Sequence, residues 1–333
     1  MIEVQGLTRT FAAWRGLLGR GSVRALRGID CAIPDLGAVS VIGESGSGKT
    51  TLGRILCGLE DFDGGDVLVG GQSLSALKPR DRAPYHRMVQ MIHQDPYSAL
   101  NPTRTIGQIL ADPLRLRAAQ TGADKSWLER RRAELLELVG LDPDYALPRY
   151  PHMLSGGMRQ RVVIARALTV DPDVLVADEA VSMIDVSLRL GILQLLRELR
   201  ETAGVSVLFI THDVATARYV GHDGELYVLY RGTVVERGAT DDIIRHPQHP
   251  YTQALLSAIP VLRGIEIPAP DRVMPTGPLD DRNEPPGCLF EPRCPFAGND
   301  CANAAPPLTG EAHGYACLHP ADRSVVPLPI AAP

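Results

Sequence analysis

The apolar run at residues 39–42, followed at once by Gly43-Glu44-Ser45-Gly46-Ser47-Gly48-Lys49-Thr50, constrains this chain more than any other segment. It meets the pattern G-x-x-x-x-G-K-[ST] at every specified position. A buried strand that runs into a glycine-rich turn and then a helix gathers backbone N–H groups into an anion nest. The helix adds the positive end of its dipole at the same spot. Lys49 can reach the β- and γ-phosphates of a nucleotide, and the Thr50 hydroxyl can ligate Mg²⁺. Residues 43–50 with Thr51 are therefore the candidate phosphate site, and the helix over 50–58 is expected to stop at Gly58.

Such a unit needs neighbouring parallel strands, and the chain supplies them. Residues 174–177 and 205–210 are near-continuous apolar runs, the pattern of strands buried on both faces. A helix over 188–202 separates them, so the unit reads β-α-β. Asp178-Glu179 falls at the carboxyl end of the first run, where open α/β sheets place ligand chemistry. Asp178 suits Mg²⁺ held through water, and Glu179 suits polarisation of an attacking water. Residues 2–4 and 24–34 read as strands of an antiparallel subsheet, with a glycine-rich basic loop over 16–22 between them. Composition turns helical from about 81 to 167, including a helix over 127–139 that ends at Gly140 before Pro143. A hairpin is expected over 228–235 around Arg231-Gly232. The expected fold is α/β: a P-loop (RecA-like) mixed sheet, an antiparallel subsheet, a helical subdomain insertion at about 86–167, and an irregular Cys-rich C-terminal extension.

That extension, residues 261–333, holds fourteen of the chain's 27 prolines, which excludes long helices and central strands. It needs a docking surface or a staple. Four of the six cysteines lie there: Cys288, Cys294, Cys301 and Cys317, with five, six and fifteen residues between neighbours. The formal net charge of −5 offers no electrostatic footprint for nucleic acid. No run of 18 apolar residues is present, and the first residues lack a secretory layout, so a cytosolic chain is expected. In a reducing compartment such a cysteine set more often binds metal than forms disulfides.

The segment Leu154-Ser155-Gly156-Gly157-Met158-Arg159-Gln160-Arg161 adds how the nucleotide is used. It resembles the signature segment of ATP-binding cassette (ABC) ATPases. Lys49, Thr50, Gln94, Ser155, Gly157, Asp178, Glu179, Asp185 and His212 appear in the order of that family, over roughly residues 1–260. The resemblance implies that Gln94 is the Q-loop glutamine sensing Mg²⁺ and the attacking water, and that His212 is the switch histidine. It implies that Phe11 stacks the adenine of ATP, with Trp14 nearby. It also implies that Ser155, Gly156, Gly157 and Asp185 act in trans on ATP held by a second subunit, so the chain carries two half-sites.

Within the family the chain looks like ATPase subunits of dipeptide and oligopeptide importers. Three segments carry this: Met158 after Ser-Gly-Gly, the run Gln94-Asp95-Pro96-Tyr97-Ser98-Ala99-Leu100-Asn101-Pro102, and His249-Pro250-Tyr251-Thr252-Gln253-Ala254-Leu255-Leu256. Implied partners are a second ABC ATPase (itself or a paralogue), two membrane permease subunits docked near 97–102, and, indirectly, an extracytoplasmic solute-binding protein. The implied place is the cytoplasmic face of the cell membrane. Oligosaccharide import and a soluble role in DNA repair or translation are the alternatives, the last disfavoured by the acidic balance and single cassette. Ala180-Val181, Met183-Ile184 and Met153 depart from the family wording without removing a ligand. Some peptide-importer ATPases have a similar tail holding a [4Fe–4S] cluster; structural Zn²⁺ and unmetallated thiols are the other readings, with His313 and His319 as substitute ligands.

Overall fold

A computed structural model describes residues 1–15, 19–259, 271–277, 284–323 and 325. Its strands are β1 (Ile2–Arg15), β2 (Gly19–Ile33), β3 (Ala38–Ile42), β4 (Gly64–Val69), β5 (Gln72–Ser73), β6 (Val89–Ile92), β7 (Val174–Asp178), β8 (Ser206–Thr211), β9 (Glu225–Tyr230), β10 (Thr233–Ala239) and β11 (His313–Tyr315). They form an antiparallel sheet in the order β2-β1-β4-β5 and a seven-stranded mixed sheet in the order β11-β10-β9-β3-β8-β7-β6. β9, β3, β8, β7 and β6 run parallel, while β10 and β11 are antiparallel to their neighbours.

The apolar runs of the sequence are continuous because both sheet faces are covered. Side chains alternate across a strand. Val174, Val176, Leu208 and Ile210 join a core with Leu52, Ile55 and Leu56 of the helix Lys49–Leu56 and with Ile2, Val4 and Ile29 of the antiparallel sheet. Leu175, Ala177, Val207 and Phe209 face the opposite way, into a core shared with the helices Gly156–Ala167 and Val186–Thr202. The first helix ends as expected, with Gly58 at φ +66, where a Cβ would lie 2.0 Å from the His86 ring.

Two expectations needed revision. The first two strands are far longer than the runs that announced them: β1 and β2 pair from Ile2↔Ile33 out to Arg15↔Gly19, with register shifts. Gly19–Ser22 of the expected loop thus belong to β2, and residues 16–18 lie outside the described residues. Within the helical stretch, β6 is an added strand at the sheet edge. Four residues carry too little periodicity to announce a strand.

The proline-rich extension docks on the rest of the chain. β11 adds an edge strand to β10, and His313 Nε2 lies 2.7 Å from Glu236 Oε1. The fully buried Glu236 carboxylate also accepts from the backbone N–H groups of Gln248 and His249 at 2.8 and 2.9 Å. The hydrogen bond to Glu236 raises the His313 pKa above the usual imidazole value, against desolvation. Val273, Phe290 and Val325 enter a core with Ile243, Ile244, Tyr251 and Leu256. The Phe290 ring sits 5.3 Å from Tyr230 and 5.5 Å from Tyr251, contacts of about 0.5–1.5 kcal/mol each beyond area burial.

Candidate nucleotide site

β3 ends in the phosphate loop, and two of its glycines are required by close approach. A Cβ on Gly43 would lie 2.2 Å from the Leu229 carbonyl oxygen. Gly48, at φ +103, would bring one 2.4 Å from that of Ala25. Ser45 and Gly46 remain exposed at the mouth. Lys49 is only 5% exposed, and its ammonium donates to the carbonyls of Gly43 (2.8 Å) and Glu44 (2.9 Å), with Ser47 Oγ at 3.4 Å. Desolvation lowers its pKa, opposed by the carboxylates of Glu179, Asp178 and Glu44.

Parallel strands deliver their carboxyl ends to one edge, and this brings the remaining groups together. Asp178, the last residue of β7, is buried, and its Oδ1 accepts from the Thr50 hydroxyl at 3.2 Å. Burial pushes its pKa up, although the Thr50 hydrogen bond opposes this. These two oxygens fit an Mg²⁺ ion held beside the phosphates. Glu179 follows at φ +47, a left-handed conformation that costs a non-glycine residue roughly 1–2 kcal/mol. Its N–H donates to Ile210 O at 2.9 Å, and its carbonyl accepts from Ser182 N and Oγ at 3.0 and 2.9 Å. That turn presents the carboxylate to two other strand ends: Gln94 Nε2 at 3.1 Å, after β6, and His212 Nδ1 at 3.0 Å, after β8.

Ala180, Val181 and Ile184 are buried in the large helical core, whereas Met183 is 60% exposed. Three of these four residues thus pack at the base of the turn, below the Glu179 carboxylate and its contacts to Gln94 and His212. Ser155 caps the helix Gly156–Ala167, its Oγ accepting from Met158 N at 3.3 Å. Asp185 precedes the helix Val186–Thr202. Among the described residues no hydrogen bond joins Ser155, Gly156, Gly157 or Asp185 to residues 43–51. Tyr97 is 62% exposed, with the Arg159 guanidinium 4.0 Å from its ring centroid. Phe11 lies within β1 opposite Val23, with the Arg9 guanidinium 4.8 Å from its ring centroid.

Cys288, Cys294, Cys301 and Cys317 line one apolar cavity with Phe290, Phe296 and Leu318, and none of the four is in a disulfide. Burial, together with the other three sulfurs, pushes the Cys317 thiol up to about 11. His313 is taken by Glu236, while His319 Nε2 bonds Asp300 Oδ1 at 2.8 Å beside Cys301. Sequence reasoning missed the partners of Glu44. Its N–H donates to the Tyr251 hydroxyl at 2.7 Å, and Arg293 donates to both of its carboxylate oxygens, at 2.8 and 3.0 Å. Tyr251 stands in a segment already singled out, but nothing in the sequence ties Arg293 to a loop 249 residues away.

A phosphate loop and an Asp-Glu strand end in one mixed sheet, with an antiparallel subsheet and a helical insertion, define an ATP-binding cassette. Residues 26–182 match the ABC transporter family, and residues 235–301 match the oligopeptide/dipeptide transporter C-terminal region. The chain is 38% identical over 323 residues to a protein of Sinorhizobium fredii described as a peptide ABC transporter ATP-binding protein, covering 95% of this chain and 88% of that one. It is 42% identical over 293 residues to a Brucella ovis protein described as a peptide import ATP-binding protein, covering 84% and 87%. A dimeric ATP-binding cassette solved in a post-hydrolysis state with ADP and Pi superposes with a TM-score of 0.61 at 27% identity, covering 72% of this chain and 99% of that one. The chain belongs to the family of ABC transporter ATP-binding proteins, in the branch that carries the oligopeptide/dipeptide C-terminal region. It is an ATPase of that family, and among the described residues no helix is long and apolar enough to cross a membrane.

Proposed function

We propose that this chain is the ATP-hydrolysing subunit driving peptide import, one half of an ATP-sandwich dimer on the cytoplasmic face of the cell membrane. The observation that carries the proposal is the Glu179 carboxylate held between Gln94 and His212, beside the Thr50–Asp178 pair. Residues 1–260 would be the cassette and 261–333 the extension. Positioning and charge neutralisation dominate phosphoryl transfer. Lys49 would exchange its loop carbonyls for the β- and γ-phosphates, Phe11 would stack the adenine, and Thr50, Asp178 and Gln94 would hold Mg²⁺. Bound there, Mg²⁺ would supply neutralisation of phosphate charge. Glu179 would accept a proton from the attacking water, oriented by Gln94 and His212. The exposed Ser155, with Gly156, Gly157 and Asp185, would complete the site of a second ATPase subunit, identical or paralogous.

Two permease subunits would dock near Tyr97, and a solute-binding protein would act through them. Support for peptides comes from the matched C-terminal region and from the descriptions of the relatives. With copurified membrane subunits and solute-binding protein in proteoliposomes, ATP hydrolysis is expected to rise when peptide is added. A response to oligosaccharides alone would replace the cargo. ATP-dependent DNA binding with a steep salt dependence would replace transport altogether.

For the four cysteines, a single tetrahedral ion with bonds near 2.3 Å needs donors ~3.8 Å apart. The donor atoms lying within 4.8 Å of one another are those of Asp300, Cys301 and His319, not the four sulfurs. Four thiolates lining one cavity suit a [4Fe–4S] cluster or structural Zn²⁺, and the cluster is the reading put to test. Anaerobically purified protein is expected to be coloured and to hold about four iron atoms per chain, most of them lost in Cys294→Ser. Iron-free, colourless protein would remove the cluster, and stoichiometric zinc would replace it.

A further inference from the structure

The contact between Arg293 and Glu44 joins the two parts of the chain with the least in common, the proline-rich extension and the phosphate loop. Arg293 is 9% exposed, and its guanidinium forms a two-pronged pair with the Glu44 carboxylate. Its Nε donates to Gly277 O at 3.2 Å, and it lies 5.9 Å from the ring centroids of both Tyr230 and Phe290. The backbone around it is tied as well: its N–H donates to Phe290 O at 2.9 Å and its carbonyl accepts from Thr276 N at 3.0 Å. Cys294 is the next residue, and Cys288 N donates to Cys301 O at 2.8 Å. A short path of packed groups therefore runs from the four-cysteine cavity to the loop.

The loop end of that path is chemically pointed. Glu44 places a carboxylate in a segment whose other groups suit a polyanionic phosphate, and charges of like sign held close together oppose binding. Arg293 neutralises that carboxylate. It also fixes the backbone of a residue whose carbonyl holds Lys49 and whose N–H is held by Tyr251. A planar guanidinium anchored on two rings does this with a rigidity that an ammonium lacks.

We propose that Arg293 is a positioning residue for the nucleotide: it clamps and neutralises Glu44, so that nucleotide affinity depends on the folded state of the cysteine-bearing extension. The proposal rests on residues 43–50 being the phosphate site. By linkage the dependence is reciprocal, so a bound nucleotide must stabilise the segment around Cys288–Cys301 by the same factor.

The test is a double-mutant cycle on ATP affinity by calorimetry, with the full chain as Arg293→Ala, Arg293→Lys, Glu44→Gln and the Glu44→Gln/Arg293→Ala pair. Arg293→Ala is expected to raise the ATP Kd about tenfold or more, and Arg293→Lys by an intermediate amount. In the Glu44→Gln background, loss of Arg293 is expected to change Kd less than about twofold, since the coupled partner is gone. A purely structural role would weaken binding equally in both backgrounds, which overturns the proposal, as does an unchanged Kd in Arg293→Ala. Amide hydrogen exchange over residues 288–301 supplies a reading independent of affinity. ATP should slow it in the wild type and not in Arg293→Ala, and no slowing in the wild type overturns the coupling. A wild-type chain that binds no ATP overturns the phosphate-loop reading itself.

Discussion

Glu179→Gln is expected to lower ATP turnover by about 10²–10⁴-fold, the usual contribution of a general base, while leaving ATP affinity close to that of the wild type. Gln matches Glu in size and can still accept from Gln94 or pair with His212, the two groups that hold the carboxylate at 3.1 and 3.0 Å. The turn below it is fixed by backbone contacts to Ile210 and Ser182, which the substitution does not touch. What disappears is the proton acceptor. Single-turnover phosphate release and calorimetric ATP binding, measured together, separate the two effects. Undiminished turnover would remove Glu179 from the chemistry. Lost binding would move its role from the chemical step to the ground state. In the proposed sandwich, a chain that binds ATP without cleaving it should accumulate as an ATP-dependent dimer on gel filtration.

Lys49→Ala is expected to act at the earlier step. The ammonium is buried and its pKa is lowered by desolvation, so it has left water for a site that offers only oxygen acceptors. Charge-assisted hydrogen bonds contribute about 1.5–3 kcal/mol each, and two to the phosphates correspond to roughly a 10²–10⁴-fold loss of ATP affinity. The loop itself should survive, because Glu44 stays tied to Tyr251 and Arg293 and the Ser47 carbonyl still accepts from Gly232 N. Calorimetry would show the loss of affinity, and a melting curve within a few degrees of the wild type would show that the fold is intact. Retained affinity would mean that the lysine never reaches the phosphates.

Much of the candidate site was legible in the chain because its parts are local. Residues 43–50 specify their own strand–turn–helix, and Asp178-Glu179 sits at the end of a run apolar enough to be buried on both faces. Gln94 and His212 were placed by order and context alone, since a glutamine after a four-residue edge strand carries little local signal. The great length of β1 and β2 was not legible. The outer end of β2, residues 19–22, is polar and glycine-rich, and the outer half of β1 mixes Thr and Arg with Phe, Ala and Trp without strict alternation, so only their pairing makes them strands. The partners of Glu44 were invisible for a related reason: nothing near Arg293 in the sequence distinguishes a loop-clamping arginine from a solvated one.

By itself, the sequence determined that an α/β sheet of the ATP-binding cassette family forms, where its glycine-rich loop and its Asp-Glu strand end lie, and that the proline-rich tail has no long helices or central strands. Those properties follow from hydrophobic run length, glycine spacing and the absence of proline N–H donors, all local or compositional. Only the tertiary structure decided that Glu179 is gripped from two neighbouring strand ends and that the tail finds its core on β10. It alone brought Arg293 to the phosphate loop. These are contacts between residues 33 to 249 positions apart, and they exist because parallel strands bring distant carboxyl ends to one edge while a segment without its own core must bury its aromatic side chains elsewhere.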